Sequence, residues 1–312
     1  MLPYRGRFAP SPTGPLHFGS LVAALGSCLE ARARGGCWLV RMEDVDEPRC
    51  RREMADAILR QLAAFGFEWD GEVLWQSRRT ARYRDALEAL RAAGHVYPCA
   101  CTRREIADSA LAPDGSHIYP GTCRNGLPPG KAARAWRLRV PAETICFDDA
   151  VQGRLCQDMA RDAGDFVLLR ADGYFAYQLA VVVDDAEQGI THIVRGADLV
   201  DSTPRQILLQ RLLGVPMPAY AHLPAAVNAA GEKLSKQTGA APLDSADPVP
   251  ALVAALDFLG QKPPGDVERA GVSGIWAWAR AHWTLARVPR TRALSAVVAA
   301  AVAGDADHQP HG

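Results

Sequence analysis

The segment PSPTGPLHFGS (residues 10–20) sets prolines and glycines that bend the chain tightly ahead of His17 and a small-residue helix entry. Such a turn delivers a helix N-terminus, whose unpaired N–H groups and partial positive charge stabilise an anion such as phosphate. His17 could add a donor to a phosphate oxygen; read alone, it is better taken as a polar residue at an ordinary helix start. Far downstream, GEKLSKQTG carries Lys233 and Lys236 between glycines. This is either a solvated basic loop or one in which Lys236, with Lys233, closes over a nucleotide and stabilises charge on departing pyrophosphate. A third group comprises Cys99, Cys101 and Cys123, with His117 and Tyr119 between them. Three thiolates suit a tetrahedral zinc site needing one more ligand, and a Pro/Gly-rich stretch gains most from such a staple; without metal they are reduced structural thiols. No general base accompanies the cluster, so the expected role of the ion is structural. Cys28, Cys37, Cys50, Cys146 and Cys156 read as ordinary buried thiols. Eight scattered cysteines without a signal peptide argue against a disulfide framework.

These groups need a scaffold, and 312 residues at 48% hydrophobic and 22% charged content suffice for one large domain or two to three smaller ones. Residues 21–34 are rich in Ala and Leu, and Gly35-Gly36 closes them as a helix end is closed. CWLVRME (37–43) reads as a strand, and residues 51–65 return to helical spacing with Met54, Ile58, Leu62 and Phe65 on one side. The alternation predicts an α/β protein with a parallel sheet. From Tyr97 to about Gly130 the composition shifts to Cys, Pro and Gly, and AWRLRV and TICFDD follow as strands. The expected division is a first sheet half (1–96), a metal-bearing insertion (97–164), a second half with the lysine loop (165–240) and a helical extension (241–312). Within the second half, DFVLLRADGYFAYQLAVVVDDA and ITHIVRG read as β-rich and RQILLQRLLG as helix; the tail DADHQPHG reads as disordered. Lysine plus arginine (35) equals aspartate plus glutamate (35), so any RNA contact is expected to be local and transient. No run is long and apolar enough to span a bilayer, which gives the expectation of a cytoplasmic protein without membrane contact. No obligate protein partner is evident.

HFGS and KLSKQ, in this order and separation, resemble the HIGH and KMSKS signatures of class I aminoacyl-tRNA synthetases. RFAPSPTGPLHFG, VRMEDVDEPR, HVYPCACTRRE, DFVLLRADGYFAYQLA and GITHIVRGADLVDSTPRQ are similar to the glutamate branch of that class, in its chain order. The resemblance covers residues 5–237. It implies a Rossmann-like catalytic domain with a zinc-bearing insertion and a short helical C-terminal part. It also implies ATP with Mg²⁺ held by His17, Gly19, Lys233 and Lys236, with His17 and Lys236 catalytic. For L-glutamate it implies Arg7 and Arg195 on carboxylates, where a guanidinium donates two parallel hydrogen bonds. Glu43 would receive the ammonium and Tyr177 would add a hydroxyl, with Phe8, Ala9, Pro10 and Ser11 lining the pocket. In relatives with such an insertion the fourth zinc ligand can be a tyrosine, here Tyr119, although a phenol with pKa about 10 must lose its proton; His117 is the orthodox alternative. Two positions depart from the pattern: Ser20 stands for the second histidine of HIGH, and Gln237 ends the lysine motif.

Only 75 residues follow Gln237, too few for an anticodon-reading module and its connector. With zero net charge, this resembles the glutamyl-Q tRNA(Asp) synthetases. That resemblance implies activation of glutamate without tRNA and its transfer to queuosine in the anticodon of tRNA(Asp). A truncated glutamyl-tRNA synthetase charging a 3′ end is the alternative. A non-catalytic tRNA-binding paralogue comes third, since it requires broken ATP motifs.

Overall fold

The computed structural model describes residues 3–234 and 241–296. The chain opens with β1 (Arg5–Phe8), α1 (Phe18–Ala33), β2 (Cys37–Met42), α2 (Arg52–Ala64), β3 (Leu74–Trp75) and α3 (Thr80–Ala92). Strands β1, β2 and β3 form a parallel sheet in that order. Helix α1 is buried over most of its surface because it lies directly on the sheet. A Cβ on Gly26 would stand 2.5 Å from Leu223 Cδ1, so the Leu223 side chain would have to shift to admit one at this helix–sheet contact.

The middle of the chain contributes β4 (Val96–Cys99), β5 (Ala135–Leu138), β6 (Thr144–Asp149), β7 (Gly153–Asp158), the single turn α4 (Met159–Asp162) and β8 (Val167–Leu169). Strands β4, β5 and β8 make a small antiparallel sheet beside the cysteine cluster. The hairpin β6–β7 goes elsewhere. It joins α5 (Tyr177–Glu187), β9 (His192–Gly196), α6 (Thr203–Leu213) and β10 (Ala219–Leu223) through a sheet ordered β7-β6-β10-β9. In that sheet β10 runs parallel to both β9 and β6. The β1-β2-β3 sheet and the four-stranded sheet meet at β1 and β9, where the Thr191 N–H donates to the Arg5 carbonyl at 3.0 Å. The chain continues with β11 (Ala225–Val227), α7 (Val249–Phe258), α8 (Gly271–His282) and β12 (Ala293–Ser295), and β12 pairs with β11.

Two cores flank this framework. One packs α1, α2, α7 and α8 around Trp38, Val40 and Leu223, and the other packs α3, α5 and α6 around Ile193 and Tyr220. Neighbouring strand residues divide between them, Ile193 facing one core and Val194 the other, as the two-residue period of a strand requires.

Several expectations are corrected. The run YQLAVVVDDAE, read as β-rich, is helix α5, and only Val167–Leu169 before it is a strand. Leu179 through Asp185 are all buried between the sheet and α3 and α6, and that packing overrides the strand preference of three consecutive valines. Cys146 and Cys156 are not separate buried thiols: they face each other across β6–β7 and form a disulfide. Cys37 is exposed and Cys50 half-buried, so of the five expected buried thiols only Cys28 is one.

Candidate active site

A cavity of about 950 Å³ opens where the carboxyl ends of β1, β2, β9 and β10 converge. In parallel α/β sheets this is where strands release their loops and ligands bind. Arg7, Phe8, Ala9, Pro10 and Ser11 line it from β1 and the turn beyond; His17 and Gly19 line it from the start of α1. Glu43 follows β2, Tyr177 begins α5, Arg195 lies on β9 and Lys233 follows β11; all four face the same space. The fold thus brings together residues up to 226 positions apart. Lys236 lies outside the described residues, as does Gln237. On either side of that segment, the Leu234 N–H donates to the Ala226 carbonyl at 2.8 Å and the Leu243 N–H to the Leu16 carbonyl at 3.0 Å.

The charges in this cavity are of two kinds. Arg7 is buried and forks onto Asp185, Nε to Oδ1 at 3.0 Å and NH2 to Oδ2 at 3.3 Å. Arg41, fully buried, donates from NH1 to Asp185 at 2.8 Å and from NH2 to Glu43 at 3.2 Å. Arg7, Arg41, Asp185 and Glu43 therefore form a balanced cluster. Burial pushes Asp185 up, but Arg41 and Arg7 outweigh it and hold the carboxyl below its usual range. For Glu43 burial wins over the same two arginines, and its carboxyl is raised. An added cation beside Glu43 would complete its pairing.

Arg195 differs. It is buried, yet among the described residues it contacts no carboxylate. Its Nε donates to His222 Nε2 at 3.1 Å, NH1 to the Tyr177 hydroxyl at 3.3 Å, and NH2 to the Thr203 hydroxyl at 2.7 Å and the Leu199 carbonyl at 3.4 Å. All four acceptors are uncharged, so the cavity holds a desolvated cation without a counter-ion, which is costly until an anion arrives. At the rim, Lys233 pairs with Asp198 at 2.6 Å and Arg170 with Asp46 at 2.6 Å.

The first turn of α1 carries no acidic side chain, so no carboxylate of its own competes for its N–H groups. His17 is the residue before that helix, in extended conformation, and its backbone bridges to Pro242.

The thiols of Cys99, Cys101 and Cys123 lie within 4.8 Å of one another. The Tyr119 hydroxyl sits 3.5 Å from the Cys99 sulfur and 3.3 Å from that of Cys101, and it accepts the Cys123 N–H at 2.8 Å. Burial pushes the Cys123 thiol up, but hydrogen bonds from Tyr119, the Ala100 N–H and the other two thiols outweigh it and the net shift is down. Arg137 stacks on the Tyr119 ring at 3.9 Å and donates to the Cys99 sulfur at 3.3 Å. This set of soft donors with a compensating cation fits zinc. His117 turns away, toward the Ser109 carbonyl at 3.4 Å, while the Tyr119 hydroxyl lies beside the thiols.

The family description "tRNA synthetases class I (E and Q), catalytic domain" matches residues 4–268. A protein of Aromatoleum aromaticum named glutamyl-Q tRNA(Asp) synthetase is 64% identical, over 92% of this chain and 91% of its own. One of the same name from Dechloromonas aromatica is 63% identical, over 92% and 96%. The chain belongs to the glutamyl-Q tRNA(Asp) synthetase family. It is an enzyme of the ligase class. Among solved structures, the glutamate-tRNA synthetase of Elizabethkingia anophelis has the same fold, with a TM-score of 0.78 at 24% identity over 95% of this chain and 69% of that one. Among the described residues no helix is long and apolar enough to cross a membrane.

Sequence reasoning missed the residues that hold this family member's arginines in place. Asp185 braces Arg7 across 178 positions. Arg41 sits one strand away in the same cluster; Thr203 and His222 contact Arg195, and Asp149 stands behind His222. One signal was available: two adjacent aspartates directly after three valines put carboxylates in a segment too apolar to be a surface. Asp184, the other member, accepts from Gln76, Arg79 and Tyr83 at 2.7, 2.6 and 2.7 Å and ties α5 to α3.

Proposed function

We propose that this chain activates L-glutamate with ATP and transfers it to queuosine in the anticodon of tRNA(Asp). The observation that carries the reading is the pairing of opposites in one cavity. Arg195 is a buried cation without an acid, and Glu43 is a buried acid that burial has raised. A substrate with a carboxylate at one end and an ammonium at the other satisfies both. Arg7, though braced by Asp185, adds positive potential on the same wall. Class I synthetases use ATP with Mg²⁺, and the start of α1 with His17 and Gly19 supplies donors for its phosphates. Lys233 and Lys236 would act on the pyrophosphate side.

In the first step a carboxylate oxygen of glutamate attacks the α-phosphorus and the bond to pyrophosphate breaks. In the second a hydroxyl of the queuosine cyclopentene ring attacks the glutamyl carbonyl and AMP departs. Positioning and charge stabilisation carry both steps, and no side-chain nucleophile is required. Cys99, Cys101, Tyr119 and Cys123 would hold one zinc ion that braces the segment between β4 and β5. The names of the relatives at 64% and 63% identity support the choice of acceptor.

The test is glutamate-dependent ATP–pyrophosphate exchange without RNA, followed by transfer of labelled glutamate to tRNA(Asp) with and without queuosine. Exchange with glutamate alone and transfer only to the modified tRNA are expected. Exchange that begins only after tRNA(Glu) is added would favour a truncated glutamyl-tRNA synthetase, and none under any condition would sink the enzymatic reading of this pocket.

A further inference from the structure

The cation of the cavity is aimed by residues that never reach the cavity themselves. Asp149 ends β6, and its Oδ1 accepts the Val151, Gln152 and His222 backbone N–H groups at 3.0, 2.8 and 3.1 Å. Its Oδ2 lies 2.6 Å from His222 Nδ1. The other ring nitrogen, Nε2, faces Arg195 Nε at 3.1 Å and the Thr203 hydroxyl at 3.1 Å. A guanidinium only donates, so Nε2 must be the acceptor and the ring proton must sit on Nδ1, toward Asp149. His222 is completely buried and Asp149 nearly so. Gln152 locks the arrangement from the same hairpin, its Nε2 donating to the His222 carbonyl at 2.8 Å. The tautomer is therefore set by a carboxylate on one strand so that the imidazole can orient an arginine two strands away.

We propose that Asp149 and His222 are positioning residues for substrate carboxylate recognition, acting through Arg195: the Asp149–His222 pair presents a neutral acceptor that fixes the guanidinium plane. This deepens the functional reading above and rests on Arg195 as the carboxylate-binding cation. Without the acceptor at Nε2, the Arg195 Nε–H loses its partner inside a dry cavity and the fork can rotate away. Hydrogen bonds that involve a charged group are worth enough that affinity should fall about tenfold or more. ATP binding, assigned above to other residues, should not change.

Two amides separate the links. His222→Gln places its side-chain amide near the Nε2 position and can still accept from Arg195. His222→Asn places it near Nδ1, keeps a donor for Asp149 and leaves Arg195 unpaired. The experiment measures glutamate Kd by calorimetry on the full-length protein for wild type, His222→Gln, His222→Asn, Arg195→Ala and the His222→Asn/Arg195→Ala double variant, with ATP Kd and melting temperature alongside. The expected result is weakened glutamate binding in His222→Asn, partial recovery in His222→Gln at a similar melting temperature, and a double variant no worse than Arg195→Ala alone, the signature of one shared contact. Wild-type affinity in His222→Asn with weakened binding in Arg195→Ala would overturn the positioning role and leave the site reading standing. Wild-type affinity in Arg195→Ala would remove Arg195 from recognition, and both with it. If His222→Asn fails to fold, His222→Gln decides: affinity as low as that of Arg195→Ala refutes the proposal, because the acceptor is present there.

Discussion

Replacing Asp185 by asparagine keeps its shape and removes one charge from the most densely charged part of the core. Asp185 holds Arg7 at 3.0 Å and Arg41 at 2.8 Å, and all three side chains are at most 4% exposed. With the carboxylate gone, two buried guanidinium groups are left with Glu43 alone, and the cluster passes from balanced to net positive. At an effective dielectric constant of 20, one unit-charge contact near 4 Å is worth about 4 kcal/mol. Stranding a buried charge by removing its partner costs about 3–5 kcal/mol. For a protein of this size that lowers the melting temperature on the order of 10 °C. A second effect appears in the cavity: the one excess positive charge beside Glu43 raises the local positive potential, so an arriving ammonium is repelled and glutamate binding weakens. Differential scanning calorimetry reads the first effect and a glutamate titration the second. A double variant, Asp185→Asn with Arg7→Gln, removes one charge of each sign and should recover part of the lost stability. Wild-type melting and affinity in Asp185→Asn, or strictly additive losses in the double variant, would refute the balanced-cluster argument.

Burial pushes His222 down to about 4 despite the opposing bond to Asp149. Between that value and the ordinary 6.5 the unfolded chain binds the extra proton and the folded one does not. The contribution, about 3 kcal/mol at full extent, is therefore present above pH 6.5 and lost as pH falls toward 4; denaturant unfolding across that range in wild type and His222→Gln should show a shallower slope in the variant. Purified protein should carry one zinc ion per chain, and adding zinc to metal-free protein should produce a tyrosinate difference absorbance that Tyr119→Phe lacks. Absence of stoichiometric metal together with unchanged folding in chelator would reject the site. Reducing the Cys146–Cys156 bridge, which closes a span of 10 residues, should lower unfolding free energy by up to about 3 kcal/mol, and equal melting with and without reductant would show that the thiols are unpaired in solution. Gly36→Ala should destabilise the protein by at least about 1 kcal/mol in urea unfolding, because its Cβ would stand 2.4 Å from the Tyr4 backbone oxygen.

Local patterns in the chain predicted much of this architecture. Helix α1 ends where Gly35 takes a positive φ, and α2 buries Ile58 and Leu62 on the side their spacing implied. Arg7, His17, Glu43, Tyr177, Arg195 and Lys233 line one cavity because they sit at or just beyond strand ends and helix starts that a parallel sheet gathers, whereas Lys236 lies outside the described residues. What stayed hidden is the bonding between distant segments. Arg41 reads as a polar interruption of a strand until Asp185 arrives from a helix; His222 reads as a lone histidine until Asp149 and Arg195 flank it. Helix α5 was misread because three valines favour a strand wherever packing does not decide otherwise. The disulfide had a faint signal, since Cys146 and Cys156 stand five residues either side of Val151, the symmetry of partners across a hairpin.

A guanidinium gripped at Nε and at both terminal nitrogens cannot follow a ligand, and this turns Arg195 into a ruler. If Arg195 and Glu43 hold the two ends of the substrate as proposed, the cavity measures length as well as charge. Aspartate carries the same charges on a chain one methylene shorter, so it can satisfy one end only by leaving the other unmet. A flexible arginine would forgive that shortfall and lose only the roughly 1–3 kcal/mol that a missing methylene is worth; a fixed one adds the penalty of a buried ion left unpaired. Fidelity between two dicarboxylic amino acids would then reside in the stiffness of a side chain, set by a histidine that neither of them touches.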